Sequence, residues 1–139
     1  MKKWKLGGGI IYNGFVDRIE INKIYSRSIA GLCILKPIKN YYQSQPIKVY
    51  EYMAAGLPYI CSNFPEWIRV AQDSGAGLYV DPEDVLELQA TITWFLNNRE
   101  EAEKMGKLGR EYVIRKCNWR IEERTLFSLY QDLGEELND

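Results

Sequence analysis

The sequence predicts an α/β domain: a parallel sheet of about four strands flanked by helices, followed by a C-terminal helical extension. Three observations predict it. Short apolar runs alternate with segments of helical period through the first eighty residues. Gly and Pro punctuate the joints, at Gly14, Pro37, Pro46, Gly56, Pro58, Pro65, Gly75 and Gly77. From Asp81 onward the apolar residues recur at helical spacing. No internal repeat, linker or low-complexity tract interrupts the 139 residues, a length that suits one domain with its own core.

Each element has its own signal. Gly7, Gly8 and Gly9 precede a strand instead of joining a strand to a helix, so they read as a lead-in or turn and not as a phosphate loop. Ile10–Val16 reads as the first strand, with Gly14 near its end. Ile19–Ser28 reads as a helix with Ile21, Ile24 and Tyr25 turned inward. Ala30–Leu35 is a short apolar run and a buried strand, stopped before Pro37 because the residue preceding a proline is restricted. Residues 36–45 form a loop rich in Tyr, Asn and Gln. Pro46 suits the first turn of a helix, where its missing N–H costs nothing. Val49, Tyr50, Met53 and Ala54 then fall on one face, and Gly56 is able to take the left-handed conformation that ends a helix.

A strand follows through Pro58, Tyr59, Ile60 and Cys61. Asn63 caps the next helix, with Pro65 in its first turn and Glu66 three residues on, as in a capping box. That helix runs to about Asp73 and is broken by Gly75 and Gly77. Gly77–Val80 gives the fourth strand. Asp81 and Pro82 start a helix whose Val85, Leu88, Ile92, Phe95 and Leu96 form one stripe. A second helix covers 99–116, with Met105, Leu108, Tyr112 and Val113 facing in. A third covers 119–136, with Leu126, Leu129, Tyr130 and Leu133 as its apolar seam.

Composition narrows the function classes. Apolar residues at 46% and charged residues at 27% describe a globular chain. A net charge of −1 gives no reason to expect nucleic acid as a partner. Lys2, Lys3 and Lys5 before Ile10, Ile11 and Tyr12 imitate a leader, but the apolar run is too short and is broken by Asn13 and Gly14. No transmembrane segment is expected, since no apolar stretch is long enough to span a bilayer. Cys33, Cys61 and Cys117 are odd in number, and the first two fall in predicted strands, so they read as reduced core residues of a cytoplasmic protein. The chain has no histidine, which excludes Ser–His or Cys–His catalysis and any histidine metal site within it. No metal is expected.

The most informative stretch is Pro46 to Pro58, PIKVYEYMAAGLP. Its helix would begin with free backbone N–H groups and a partial positive charge, which suit a phosphate. Lys48 adds a cation near that end. Glu51, one turn further in, is an acceptor for sugar hydroxyls. In such a sheet, ligands bind beyond the carboxyl ends of the strands, where this helix and the 36–45 loop both lie. Spacing alone also fits an ordinary amphipathic helix with a Lys–Glu pair on its wet side.

Ser44, Pro46, Lys48, Glu51, Tyr52, Met53, Ala54, Gly56 and Pro58 resemble the signature S-x-P-x-K-x-x-E-Y-M-A-x-G-x-P. That pattern belongs to one branch of the family 4 glycosyltransferases, the retaining enzymes of the GT-B fold. Ile10–Val16, Ile24–Pro37, Ile60–Trp67, Gly75–Asp84, Asn118 with Trp119, and Leu129 with Tyr130 are similar to the flanking segments of that family. The resemblance implies a Rossmann-like donor-binding domain, a partial GT-B C-terminal domain of the capsular or surface polysaccharide branch. Its donor would be a nucleotide diphosphate sugar, with no further cofactor.

By the same resemblance, Glu51 holds the ribose hydroxyls and Lys48 faces the diphosphate. Backbone N–H groups near Ser44, Ile47 and Lys48 cradle phosphate or sugar oxygens, and Val16 ends the strand that approaches the base. The family's first signature carboxylate falls on Gln43, eight residues before Glu51. Glutamine keeps the hydrogen-bonding reach and loses the charge, so sugar contact survives and charge stabilisation weakens. Gln43 also reads simply as a loop residue. No residue here matches the Arg and Lys that the family uses on the diphosphate. The expectation is therefore that residues 1–139 are the donor-binding half, without the acceptor domain and the first strand–helix–strand unit. Partners implied are the nucleotide sugar, the missing acceptor domain or a split partner chain, and a homo-oligomer. The alternative is a non-catalytic, truncated or split gene product that folds and self-associates. A third reading is a nucleotide- or phosphate-binding regulator of flavodoxin-like shape.

Overall fold

In a computed structural model, residues 4–6 and 9–136 are described, with side chains described from 9 to 131. Strands β1 (Trp4–Leu6) and β2 (Ile10–Tyr12) pair antiparallel as a hairpin. Helix α1 (Arg18–Tyr25) leads to β3 (Gly31–Cys33). A short α2 (Lys39–Tyr42) lies in the next loop, and α3 (Ile47–Ala54) leads to β4 (Tyr59–Ser62). Then come α4 (Pro65–Ser74), β5 (Gly77–Val80), α5 (Val85–Asn97), α6 (Arg99–Lys116) and α7 (Trp119–Glu136). Strands β3, β4 and β5 form a parallel sheet in that spatial order, with Leu32 opposite Ile60 and Ile60 opposite Leu78.

The central strand β4 is buried along its whole length, as a parallel strand covered on both faces must be. Its side chains alternate between two cores, following the period of two. Tyr59 and Cys61 join Val49, Tyr52 and Met53 of α3 and Trp67, Val70 and Ala71 of α4. Ile60 joins Val80 and Phe95, with Ala102 and Met105 of α6. Among these, each large buried apolar side chain such as Val49, Ile60 or Phe95 stabilises by roughly 1.5–3 kcal/mol. Gly31 lets α3 close on the sheet: a Cβ there would lie 2.5 Å from Cδ2 of the Tyr52 ring. The Tyr52 hydroxyl then donates to the Leu32 carbonyl at 2.9 Å, tying α3 to β3.

Several sequence expectations need correction. Among the described residues the parallel sheet has three strands, not four. The expected first strand 10–16 is cut to Ile10–Tyr12, and it pairs with β1 instead of β3. All three of its side chains are exposed, so no core face holds it against the sheet. Gly14, at φ 68°, turns the chain, and residues 13–17 are irregular. Gly9, at φ 117°, belongs to the hairpin turn, while Gly7 and Gly8 lie outside the described residues.

Asn63 is exposed and does not cap α4. Phe64 holds the cap position without a side-chain bond, and Glu66 is engaged by Arg69 at 2.7 Å. Helix α1 is capped by Asp17, whose carboxylate accepts from the Glu20 N–H at 2.8 Å. Helix α5 starts later than expected, at Val85, and is capped by Asp84, whose side chain accepts from the Glu87 N–H. In α3 the buried face is Val49, Tyr52 and Met53, so Tyr52 points inward and Ala54 outward. The stripe of α5 buries Phe95, half-buries Leu88 and Ile92, and leaves Val85 and Leu96 exposed. In α6, Met105 is buried but Leu108 is exposed, and the small residues Ala102, Gly106 and Gly109 make the close contacts. Leu126, Leu129 and Tyr130 of α7 are exposed, and the Leu133 side chain lies outside the described residues.

Candidate functional site

The carboxyl ends of β3 and β4 feed the loop 34–46 and the start of α4. The hydroxyl of buried Ser62, at the end of β4, accepts from the Leu35 N–H at 2.8 Å and donates to the Leu35 carbonyl at 2.9 Å. Further along, the Trp67 indole N–H donates to the Ser44 carbonyl at 2.9 Å. Between these points the exposed Tyr42 ring packs on Phe64, centroids 4.8 Å apart, and Phe64 packs edge-on against Trp67 at 5.0 Å. The loop is therefore fastened to β4 and α4 before it enters α3.

The first turn of α3 carries the charge. Lys48 Nζ lies 2.7 Å from Glu51 Oε2. The Tyr25 hydroxyl of α1 donates to the same oxygen at 3.4 Å. Lys48 holds its proton above the ordinary lysine value, first through the bond to Glu51. Burial raises the Tyr25 phenol and the Cys33 thiol, and the Lys48 charge opposes both shifts. Tyr52 is pushed up to about 12, again first by burial. Lys48 is thus a half-exposed cation beside α1 and β3, paired with Glu51. Glu51 also lines an open cleft of about 420 Å3 between α1, α3 and α6, with Arg18, Asn22, Tyr25 and Arg110 among its walls.

The backbone donors expected to cradle a ligand are unequal. The Ser44 N–H bonds the Tyr41 carbonyl at 3.2 Å, and the Ile47 N–H bonds the Gln45 carbonyl at 2.9 Å. Only the Lys48 N–H of the three has no acceptor among the described residues. The structure brings Ser44, Ile47, Lys48 and Glu51 together at one helix start. Gln43 is exposed at the C-cap of α2, next to Ser44. Val16 stands apart, in the turn before α1, with no hydrogen bond to α3 among the described residues.

Sequence reasoning missed three contributors. Tyr25 read only as an inward apolar position, and its hydroxyl meets Glu51 across 26 residues of chain. Ser62 and Trp67 lay within a segment read for its helix cap, not for its reach back to the loop. The one available signal was a Ser ending a buried strand and a Trp in the first helical turn, two polar groups that need partners when buried. No group of three or more His, Cys, Asp or Glu suited to a metal occurs among the described residues. Likewise, no helix among the described residues is long and apolar enough to cross a membrane.

With this geometry in place, comparison with known proteins is informative. The sequence family described as Glycosyl transferases group 1 matches residues 1–112. A sucrose synthase of Thermosynechococcus vestitus is 29% identical over 92 residues, 63% of this chain and 11% of that protein. Spore coat protein SA of Bacillus subtilis is 29% identical over 119 residues, 84% of this chain and 30% of that protein. The solved structure of a sucrose-phosphate synthase from Thermosynechococcus elongatus superposes with a TM-score of 0.76 at 27% identity, covering 88% of this chain and 30% of that one. The chain thus spans less than a third of each of these relatives. The superposition places the three-stranded sheet and its helices as a fragment of a GT-B glycosyltransferase.

Proposed function

The chain belongs to the glycosyl transferases group 1 family, and from that premise we propose that it is the donor-binding half of a retaining glycosyltransferase of family 4. It binds a nucleotide diphosphate sugar and presents it for transfer to a hydroxyl acceptor held by an acceptor-binding half. The observation that carries this reading is the start of α3. There the Lys48 ammonium, its unbonded backbone N–H and the Glu51 carboxylate stand together at the carboxyl edge of a parallel sheet. A helix N-terminus with a lysine suits the diphosphate. Glu51 is an ionised acceptor suited to two ribose hydroxyls, and on binding it exchanges part of its bond to Lys48 for them. Ser44 and Gln43 stand where the sugar would follow, and Val16 is proposed to approach the base.

In this reaction the domain's own residues orient the donor and stabilise the leaving diphosphate, with no covalent nucleophile and no metal. Two of the relatives are sugar synthases by name, which supports sugar transfer, and the setting we propose for it is the assembly of a surface polysaccharide. A cytoplasmic site fits the free thiols of Cys33, Cys61 and Cys117.

The test restores the other half. This chain is fused behind an acceptor domain and first donor unit from a relative, once with Gln43 and once with Gln43→Glu. Both fusions should transfer sugar. The Gln43→Glu form should be faster by about tenfold, equivalent to ~1.4 kcal/mol of barrier. Fusions that fold and bind donor yet transfer nothing would contradict the enzyme reading.

A further inference from the structure

We infer that Ser62 and Trp67 are positioning residues that clamp the 34–46 loop into the shape that presents Gln43 and Ser44 to the donor sugar. The inference rests on the nucleotide-sugar reading above. Loops that carry ligand contacts are ordinarily the mobile parts of an α/β domain. Here two buried side chains from one short stretch, the end of β4 and the first turn of α4, take hold of both ends of the loop.

The Ser62 hydroxyl satisfies both backbone polar groups of Leu35. It acts as one more rung beyond the last ladder pair, Cys33 with Cys61. Trp67, 2% exposed, gives its single N–H to the Ser44 carbonyl. The Tyr42–Phe64–Trp67 ring series fills the space between the two anchors. The anchors bond backbone groups, so they fix the path of the loop whatever side chains it carries. The Gln43 N–H turns to the Tyr41 carbonyl within the loop, and its side chain makes no hydrogen bond among the described residues. Its place is set by Tyr42 on one side and Ser44 on the other, both held from 64–67. The carbonyl of Ser44 is held in this way while its N–H and hydroxyl both turn to the Tyr41 carbonyl, which leaves residue 44 little freedom.

The Lys48–Glu51 pair lies outside the clamp, on α3. The clamp therefore acts mainly on the sugar end of the donor and less on the nucleotide end.

Trp67→Phe keeps the ring and removes the N–H, and Ser62→Ala removes the other anchor with little change of volume. Backbone 15N relaxation of the 139-residue protein should show the amides of 36–46 falling from rigid order parameters near ~0.85 to below ~0.6 in each variant, with β4, α3 and α4 unchanged. In titrations with UDP-glucose and GDP-mannose, the variants should bind about tenfold more weakly than wild type. UDP and GDP alone, which meet the loop only at its end, should lose clearly less affinity in the variants than the nucleotide sugars do. A loop that stays rigid in both variants overturns the clamp. So does a loss of order spread evenly over the sheet and helices. If wild type binds none of the four nucleotides, the donor-binding reading fails, and the order parameters still decide whether the loop is clamped.

Discussion

The carbonyl of Gly56 lies against the Cα of Gly106, so close that a Cβ on Gly106 would overlap it and would also stand 3.2 Å from Pro58 Cδ. This contact sets α6 directly on the end of α3. Gly56 is at φ 72°, the left-handed turn that ends α3 and starts the run into β4. Because the obstacle is backbone, it has no rotamer through which to yield. Gly106→Ala should destabilise the domain by about 1–3 kcal/mol, the usual cost of overpacking, read as a lower urea midpoint. An unchanged midpoint would mean that α6 does not dock on α3 this closely.

Alkali should unfold the domain in a defined window. Burial, followed by neighbouring Cys33, raises the Cys61 thiol from 9.0 to about 12. Burial, followed by neighbouring Tyr25, raises the Tyr52 phenol from 10.0 to about 12. The folded state holds both protons more tightly than the unfolded chain does. The stability they carry is therefore full below pH 9 and lost as pH rises from about 9 to 12. The tyrosinate absorbance that comes from buried tyrosines such as Tyr52 should appear only with the loss of circular dichroism signal across that range. Complete ionisation of all ten tyrosines with the structure intact would contradict the burial of these groups.

The Lys48–Glu51 pair should matter little for folding. Its side chains are 50% and 45% exposed, and exposed pairs of this kind contribute between zero and ~1 kcal/mol. Lys48→Ala and Glu51→Ala should keep the melting temperature within a few degrees of wild type. A large drop in either would show that the pair is structural, and any loss of binding would then be uninformative.

Helix α7 should drive self-association. Trp119, Phe127 and Tyr130 are 68%, 62% and 65% exposed on it, and exposed apolar surface of this extent favours association. Light scattering should show a mass that rises with concentration. Replacing Phe127 and Tyr130 by Lys and Glu should return it to the monomer value. A strict monomer at high concentration would remove the homo-oligomer from the account.

Much of this was legible in the sequence where local chemistry decides structure. Gly75 caps α4 in the left-handed conformation, as its place after the last periodic residue requires. Strand β5 has the predicted bounds, and α3 begins just after Pro46, which stands at the cap position and not in the first turn. What was not legible depends on partners distant in sequence. Nothing within 10–16 reveals that Trp4–Leu6, and not β3, will pair with it. Asn63 fits a cap by type, but the burial of Phe64 between Tyr42 and Trp67 sets the local geometry instead. The Lys48–Glu51 pair was visible from its spacing of three as a helical ion pair, and only the family resemblance marked its two residues as candidates for a site. The Tyr25 bond to Glu51 and the Trp67 bond to Ser44 cross 26 and 23 residues, and only the fold brings them about.

The central claim is that the start of α3 grips a nucleotide diphosphate. The most direct measurement is a titration of the uniformly 15N-labelled chain with UDP and with GDP, followed by amide shifts and repeated on Lys48→Ala and Glu51→Ala. The account predicts saturable shifts concentrated at Gln43–Glu51, largest at the Lys48 amide, whose N–H has no acceptor among the described residues. It predicts binding at least about tenfold weaker in either variant, since charge-assisted hydrogen bonds contribute roughly 1.5–3 kcal/mol each. Shifts that map elsewhere, or binding that both variants retain in full, would contradict it.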